Sequence, residues 1–300
     1  MKIAKTVLLT SMQGLLKVLD CTLEECQSAI KKGYRKFRIV KDGKIRLIEE
    51  PNPELKIILQ NLLKFLRQYL PSPDYCMAGY EGQNNIKNAE KHIKKREVIT
   101  MDISHYFPNT QAKYVKAFFE KLGMSGEVLD LIVDLTTYNG HLPTGAPTST
   151  FLSFWVHKDI FDSIYNKMQE LETDMTIYVD DITLSTHKHI GNWVIGYINN
   201  ALKTHGLFLK KSKTKRYSYR NAVVTGVYIA QDGKLSTPYK MGYSVVKTLQ
   251  DKDIKQMSIK ELQKFIAKIS YMQQIDPKCF KISRFKAIKQ LKRLIKAQNK

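Results

Sequence analysis

Apolar and polar residues alternate along GYRKFRIVKDGKIRLIEEPNP (33–53), the two-residue period of paired strands. Asp42-Gly43 stands between the two runs, where a tight hairpin turn needs positive φ. The period then changes. Asn52-Pro53-Glu54 supplies an N-cap, a proline at the first helical position and a first-turn acid. ELKIILQNLLKFLRQYL repeats apolar residues at helical spacing until Pro71. VITMDISHYF (98–107) reads as a strand running into a helix or turn, and PTGAPTSTFLSFWVHKDIFDSIYNKMQEL (143–171) as a Gly/Pro loop followed by one long helix. An amphipathic helix is expected over 191–205, then short strands to about residue 237. Ser258 and Glu261 form the S-x-x-E capping pattern before ELQKFIAKISYMQQI. The N-terminal MKIAKTVLLTSMQGLLKVLD reads as an amphipathic helix, since Gln13 and Lys17 interrupt its apolar stretch and no small-residue cleavage site follows. No window approaches the apolar length needed to span a bilayer, so a cytosolic protein without a membrane partner is expected.

One stretch breaks the pattern's own logic. In MTIYVDDITLS (175–185), the β-forming runs Thr176–Val179 and Ile182–Ser185 flank Asp180-Asp181. Two-residue hairpin turns favour Asn-Gly, Asp-Gly or Gly-Asn, and adjacent carboxylates raise the cost of ionising each other. Divalent cations would compensate them. Mg²⁺ takes hard oxygen ligands and keeps positions for substrate phosphates, and two such ions can serve an attacking hydroxyl and a leaving pyrophosphate. A hairpin alone supplies too few ligands, and Asp102, ending the apolar run Val98–Met101, is the natural third carboxylate. Taken singly, each piece also has an ordinary explanation: a solvated turn for the pair, a helix N-cap for Asp102.

Charge sharpens this picture. The 300 residues carry 49 Lys+Arg against 28 Asp+Glu, a formal net charge of +21, which favours a polyanionic partner, nucleic acid first and an anionic membrane surface second. The excess is uneven: residues 241–300 contain 15 basic and 4 acidic side chains, and 281–300 no acid at all, so the C-terminal sixty residues read as a small basic helical unit with a phosphate-facing surface. Cys21, Cys26, Cys76 and Cys279 have no C-x-x-C spacing, which suggests neither a zinc site nor a disulfide framework.

YVDD (178–181) and MDISHYF (101–107) resemble the Y-x-D-D box and the first metal-binding motif, D-x-x-x-[FY]-F, of reverse transcriptases. TGAPTSTFLS (144–153), KDGKIRLIEEPNPELKIILQ (41–60) and HGLFLKKSKTK (205–215) resemble that family's nucleotide loop, fingers motif and late palm motif, in the same order. NAEKH (88–92), V-T-G within VVTGVYI (223–229) and ISYMQQIDP (269–277) are similar to features of the retron branch.

The resemblance implies an α+β right-hand polymerase fold: fingers and palm (an antiparallel sheet with helices) over 1–237 and a basic helical thumb over 238–300. It implies an RNA-directed DNA polymerase that copies part of its own structured noncoding RNA, starting from a guanosine 2′-hydroxyl, into an RNA-linked single-stranded DNA (msDNA). Bacterial antiphage defence with a separate effector protein is the implied setting. Asp102 and Asp180 would bind two Mg²⁺ ions (Mn²⁺ as substitute) with the Ile103 carbonyl, and Asp181 would complete the charge. Lys44, Arg46, Phe107, Thr144, Gly145 and Lys213 would bind the dNTP, with Phe107 excluding a 2′-hydroxyl. Asn88, His92, Val224, Thr225 and Gly226 would make RNA or structural contacts, Gly226 letting a backbone come near. Thr144, Thr150 and Phe154 depart from the family's usual Gln, Pro and Asn, and none of these changes removes a metal ligand. Two other readings remain at this level: a reverse transcriptase with different priming, and an idle RNA-binding scaffold.

Overall fold

The computed structural model describes residues 9–41, 43–219 and 221–298, without the side chains of Lys41 and Lys44. Residues 1–8, the first part of the expected N-terminal helix, and Asp42 of the expected turn lie outside the described residues. Helices and strands are mixed, and the chain divides into two compact units: residues up to 84 with 99–216, and 85–98 with 217 onward.

The larger unit begins with helices α1 (Met12–Leu19) and α2 (Leu23–Lys32), the second closed by a Thr22/Glu25 capping box. Strands β1 (Tyr34–Lys41) and β2 (Lys44–Pro51) pair antiparallel with Lys41 opposite Lys44, leaving a two-residue connection in which Gly43 has φ +72°. Helix α3 (Pro53–Tyr69) starts as the sequence predicts: Asn52 accepts from the Leu55 amide, and Leu55, Ile58, Leu59, Leu62, Leu63 and Leu66 form its buried stripe. This stripe belongs to the main core of the unit, together with Phe119, Phe151, Phe161, Ile177 and Leu184.

Strand β3 (Glu97–Asp102) runs into a short helix α5 (Tyr106–Asn109), after α4 (Asn85–Glu90). Helices α6 (Ala112–Lys121) and α7 (Gly126–Thr136) follow. The single long helix expected after the Gly/Pro loop is two, α8 (Ser149–Val156) and α9 (Lys158–Glu170). The break is His157, fully buried, whose ring reaches Thr110 Oγ1 (3.0 Å) and His205 Nδ1 (3.3 Å) while its amide bonds to Phe154 only three residues back (3.2 Å). The buried ring is thus satisfied on both nitrogens at the point where one helix ends and the next begins.

Strands β4 (Asp174–Tyr178), β5 (Asp181–Thr186) and β6 (Lys215–Ser218) join β3 in a four-stranded sheet ordered β4-β5-β3-β6. Tyr75–Met77 protects the free edge of β4, with the Ile177 amide donating to Tyr75 O and the Met77 amide to Ile177 O, both at 2.8 Å. Helix α10 (Trp193–Lys203) realises the amphipathic helix expected over 191–205.

The smaller unit contains α4 and a three-stranded sheet, β7 (Ala222–Val224), β8 (Val227–Ile229) and β9 (Leu235–Ser236). Helices α11 (Tyr239–Asp251), α12 (Ile259–Gln273) and α13 (Lys281–Gln298) complete it, α12 carrying the predicted Ser258/Glu261 capping box. The division differs from the boundary expected at 237/238. Ile86, Ala89 and Val98 pack with Ala222, Val224, Val227 and Ile229, and Tyr271 and Ile275 of the C-terminal region join the same cluster. That shared apolar contact draws residues 85–98 and 217–237 together with the C-terminal helices.

Candidate active site

The β4–β5 register pairs Tyr178 with Asp181, so the two central turn residues are Val179 and Asp180. The sequence reading centred the turn one residue later, on Asp180-Asp181. Val179 carries the positive φ (+58°), as the first central residue of a type II′ turn does. For a β-branched residue this is a true outlier, costing about 1–2 kcal/mol. Two contacts hold it: Val179 packs against the main core, and the next carbonyl, that of Asp180, accepts from the Ile103 amide at 2.7 Å. The effect is to put Asp180 at the hairpin tip and Asp181 at the first position of β5.

Asp102 ends β3 and is only 6% exposed. Its carbonyl accepts from the Lys210 amide (2.8 Å), and its carboxylate pairs with the Lys213 ammonium. Lys213 lies in a short 3₁₀ turn, Lys211–Lys213, and is half-exposed. Ile103 is fixed between the Asp180 carbonyl and an antiparallel bridge to Leu209.

The carboxylates feel one another. Burial raises the pKa of Asp180, and the charge of Asp102 raises it further, with Lys213 and Arg46 opposing. Burial likewise pushes Asp181 up to about 7, followed by the charges of Asp180 and Asp102. Excess negative charge in a half-buried place is what a divalent cation relieves. Among the described residues no three His, Cys, Asp or Glu side chains converge as a ready-made metal cage. The oxygen donors fit Mg²⁺ nonetheless, because Mg²⁺ binds through one or two carboxylates and takes its other ligands from water and phosphate.

Arg46 is exposed on β2, two positions from Lys44, whose side chain lies outside the described residues. Phe107 lies in α5, half-buried against the main core. Thr144 and Gly145 sit in the loop before α8, against β2: the Glu49 amide donates to Thr144 O at 2.8 Å. Gly145 has φ +133°, and a Cβ there would lie 2.9 Å from the Glu49 carbonyl oxygen, so only glycine fits.

The five residues expected at RNA fall in the smaller unit. Asn88 and His92 are 0% and 1% exposed. Helix α4 ends at Glu90, so the two do not share a helical face. Asn88 donates to Thr225 Oγ1 (3.2 Å), and Asn85 to Thr225 O (3.1 Å) and Tyr271 OH (2.7 Å). Asn88 is thereby tied to the Thr225-Gly226 turn between Val224 and Val227. At Gly226 a Cβ would meet nothing within 4 Å, and the residue's φ of +81° is the left-handed conformation that the turn uses.

Sequence reasoning missed Glu49, His141 and the His157–His205 pair. Glu49 was visible as an acid on the strand face that also carries Tyr34 and Pro51; the histidines had no local signal.

A model of the family "Reverse transcriptase (RNA-dependent DNA polymerase)" matches residues 30–239, and the chain belongs to that family. Its similarity runs to the retron branch. It is 26% identical over 232 residues to the retron Se72 reverse transcriptase of Salmonella heidelberg, covering 74% of this chain and 61% of that protein. To the retron Ec86 reverse transcriptase of Escherichia coli it is 26% identical over 205 residues, 66% of this chain and 64% of that one. The chain thus spans about three fifths of the length of these curated relatives. In fold it is similar to apo telomerase from Candida tropicalis, with TM-score 0.52 at 9% identity, over 78% of this chain and 52% of that one.

Proposed function

We propose that this chain is a retron-type, RNA-directed DNA polymerase working in the bacterial cytoplasm. The observation that carries the reading is the junction of Asp102 with the Val179-Asp180 turn through the Ile103–Asp180 bond, beside Asp181 and Lys213. In this reading the larger unit supplies fingers and palm, and the basic C-terminal helices form the thumb. Its template is its own structured noncoding RNA, its first primer a guanosine 2′-hydroxyl, and its product a branched msDNA used in antiphage defence with a separate effector protein.

Asp102 and Asp180 would hold two Mg²⁺ ions, with the Ile103 carbonyl as a further ligand and Asp181 adding charge. Ions held there would supply a lowered pKa to the attacking hydroxyl and positive charge for the departing pyrophosphate. That hydroxyl attacks the α-phosphate of the dNTP in line; a new P–O bond forms as the bond to pyrophosphate breaks. Lys213 neutralises Asp102 in the free protein and moves to the phosphates once that carboxylate is engaged. Arg46 and Lys44 clamp the triphosphate, the Thr144-Gly145 loop borders the nucleotide, and Phe107 lies under the sugar and rejects a 2′-hydroxyl.

The test is to co-express the protein with its flanking noncoding RNA and extract bound nucleic acid, beside an Asp180→Ala, Asp181→Ala double variant. The expected product is a single-stranded DNA that shifts on RNase treatment and is absent from the variant. DNA without RNA linkage would point to different priming. RNA bound equally by both proteins, with no DNA in either, would favour an idle scaffold and overturn the proposal.

A further inference from the structure

Glu49 is a carboxylate with 4% exposure in a strand whose neighbouring residues Arg46 and Leu47 face solvent. Burying a charged group is unfavourable unless it is hydrogen-bonded, and both partners of the Glu49 side chain come from a distant segment. His141 Nε2 lies 3.1 Å and the Thr144 amide 3.4 Å from Glu49 Oε2. The backbone adds a third link, Glu49 N–H to Thr144 O at 2.8 Å. His141 is itself fixed, its Nδ1 facing the Asn139 carbonyl (3.2 Å) and its backbone bridging Tyr138 and Gln111. Around this pair the fit is close: Gly145 leaves no room for a Cβ above Glu49, and the Tyr34 and Tyr138 rings meet with centroids 4.5 Å apart.

Stability alone does not require a carboxylate here, since a well-packed apolar residue commonly serves as well as a buried ion pair. What an acid adds is direction. It accepts from two donors at fixed points, so β2 can dock on the loop in one register only. The strand's period of two puts Glu49 on one face and Lys44, Arg46 and Ile48 on the other. Arg46 lies three residues, about 10 Å, along the same strand from the anchor, and its charge reaches Asp180.

We infer that Glu49 and His141 are positioning residues: their clasp registers β2 on the Thr144-Gly145 loop and so places the Arg46 cation for the incoming nucleotide's triphosphate. This rests on the polymerase reading above. Neither residue touches substrate. Each acts through Arg46 and through the loop.

The experiment is steady-state dNTP incorporation on a primed RNA template by the full chain, with Glu49→Ala, His141→Ala, their double variant and Glu49→Gln. Glu49→Gln keeps an acceptor for His141. Either alanine variant is expected to raise the dNTP KM about tenfold and lower kcat less than threefold. The double variant should be no worse than the worse single one, and Glu49→Gln should stay within about threefold of the parent. Unchanged KM, additive effects, or a fall confined to kcat would overturn the inference. A second measurement needs no activity: hydrogen exchange of the free protein. Glu49→Ala should release protection at residue 49 and at Thr144 together, and Glu49→Gln should not. Independent or unchanged protection would sink the clasp. A parent that incorporates no nucleotide yet shows coupled release would keep the clasp as a docking device and remove the polymerase reading and the nucleotide role with it.

Discussion

Replacing His157 by glutamine asks whether a buried neutral imidazole sets the acid stability of the larger unit. His157 is completely buried between α8 and α9. The Thr110 hydroxyl donates to Tyr106 O (2.9 Å), so it accepts from His157 Nε2–H, and His157 Nδ1 is left to accept from His205. Burial, aided by the charge of His205, pushes the pKa of His157 down to about 3. An unfolded histidine takes up a proton below about pH 6.5, so the unfolded state binds more protons between the two values. The contribution to stability is therefore complete above about pH 6.5 and is lost as pH falls towards 3. From pH 7.5 to 5.5 this one group removes about 1.4 kcal/mol, and by pH 4.5 about 2.7 kcal/mol. Burial also lowers His205, with the same sign, but that residue remains in the variant.

Glutamine offers Thr110 a donor without titrating. At pH 7.5 His157→Gln should be less stable by about 1–2 kcal/mol, from imperfect packing and hydrogen bonding. By pH 5.5 that gap should have largely closed. Urea unfolding followed by tryptophan fluorescence is a suitable assay, because both tryptophans, Trp155 and Trp193, lie in the larger unit. Equal slopes against pH for parent and variant would refute the assignment of a neutral His157.

The other predictions concern the candidate site. Asp102→Asn or Asp180→Asn should reduce dNTP incorporation by on the order of 10³-fold without changing RNA retention, as read by primer extension and co-purified RNA. Phe107→Ala should raise NTP use relative to dNTP at least about tenfold in competition assays, and unchanged discrimination would leave Phe107 as packing alone. Gly145→Ala, forced into φ +133° against the Glu49 carbonyl, should cost about 1–3 kcal/mol in urea unfolding and raise the dNTP KM. Parent-like values for both would show that the loop shifts freely.

Local chemistry made much of the fold legible. Asn52-Pro53 starts α3, Ser258 and Glu261 cap α12, and the alternation of residues 33–51 yields a paired hairpin, because each signal acts within one turn or one strand pair. Errors arose where a distant partner decided. His157 marks the break in a predicted continuous helix, with Thr110 and His205 as its partners, and the Val179 turn is held by Ile103, just past the end of β3 and more than seventy residues earlier. Within the site, the aspartates could be picked out because adjacent like charges are conspicuous. Glu49 and His141 could not, since neither has meaning until β2 and the Thr144 loop meet. Asn88 and Gly226 were found by motif, yet motif alone did not show that they meet at one turn, Asn88 donating to Thr225 beside Gly226.

The two-part path of the smaller unit also bears on building hybrids. Residues 85–98 enter it and leave by β3, the strand that ends in Asp102. An exchange of C-terminal halves between relatives at residue 238 would cut through an apolar cluster, separating Ile86, Ala89, Val98 and the β7–β8 residues from Tyr271 and Ile275. Crossovers that move 85–98 along with everything from 217 would carry that cluster whole. A graft limited to 217–300 would instead have to match Ile86, Asn88 and Ala89 of its host, so compatibility between donor and recipient is written in a fourteen-residue segment far from the splice.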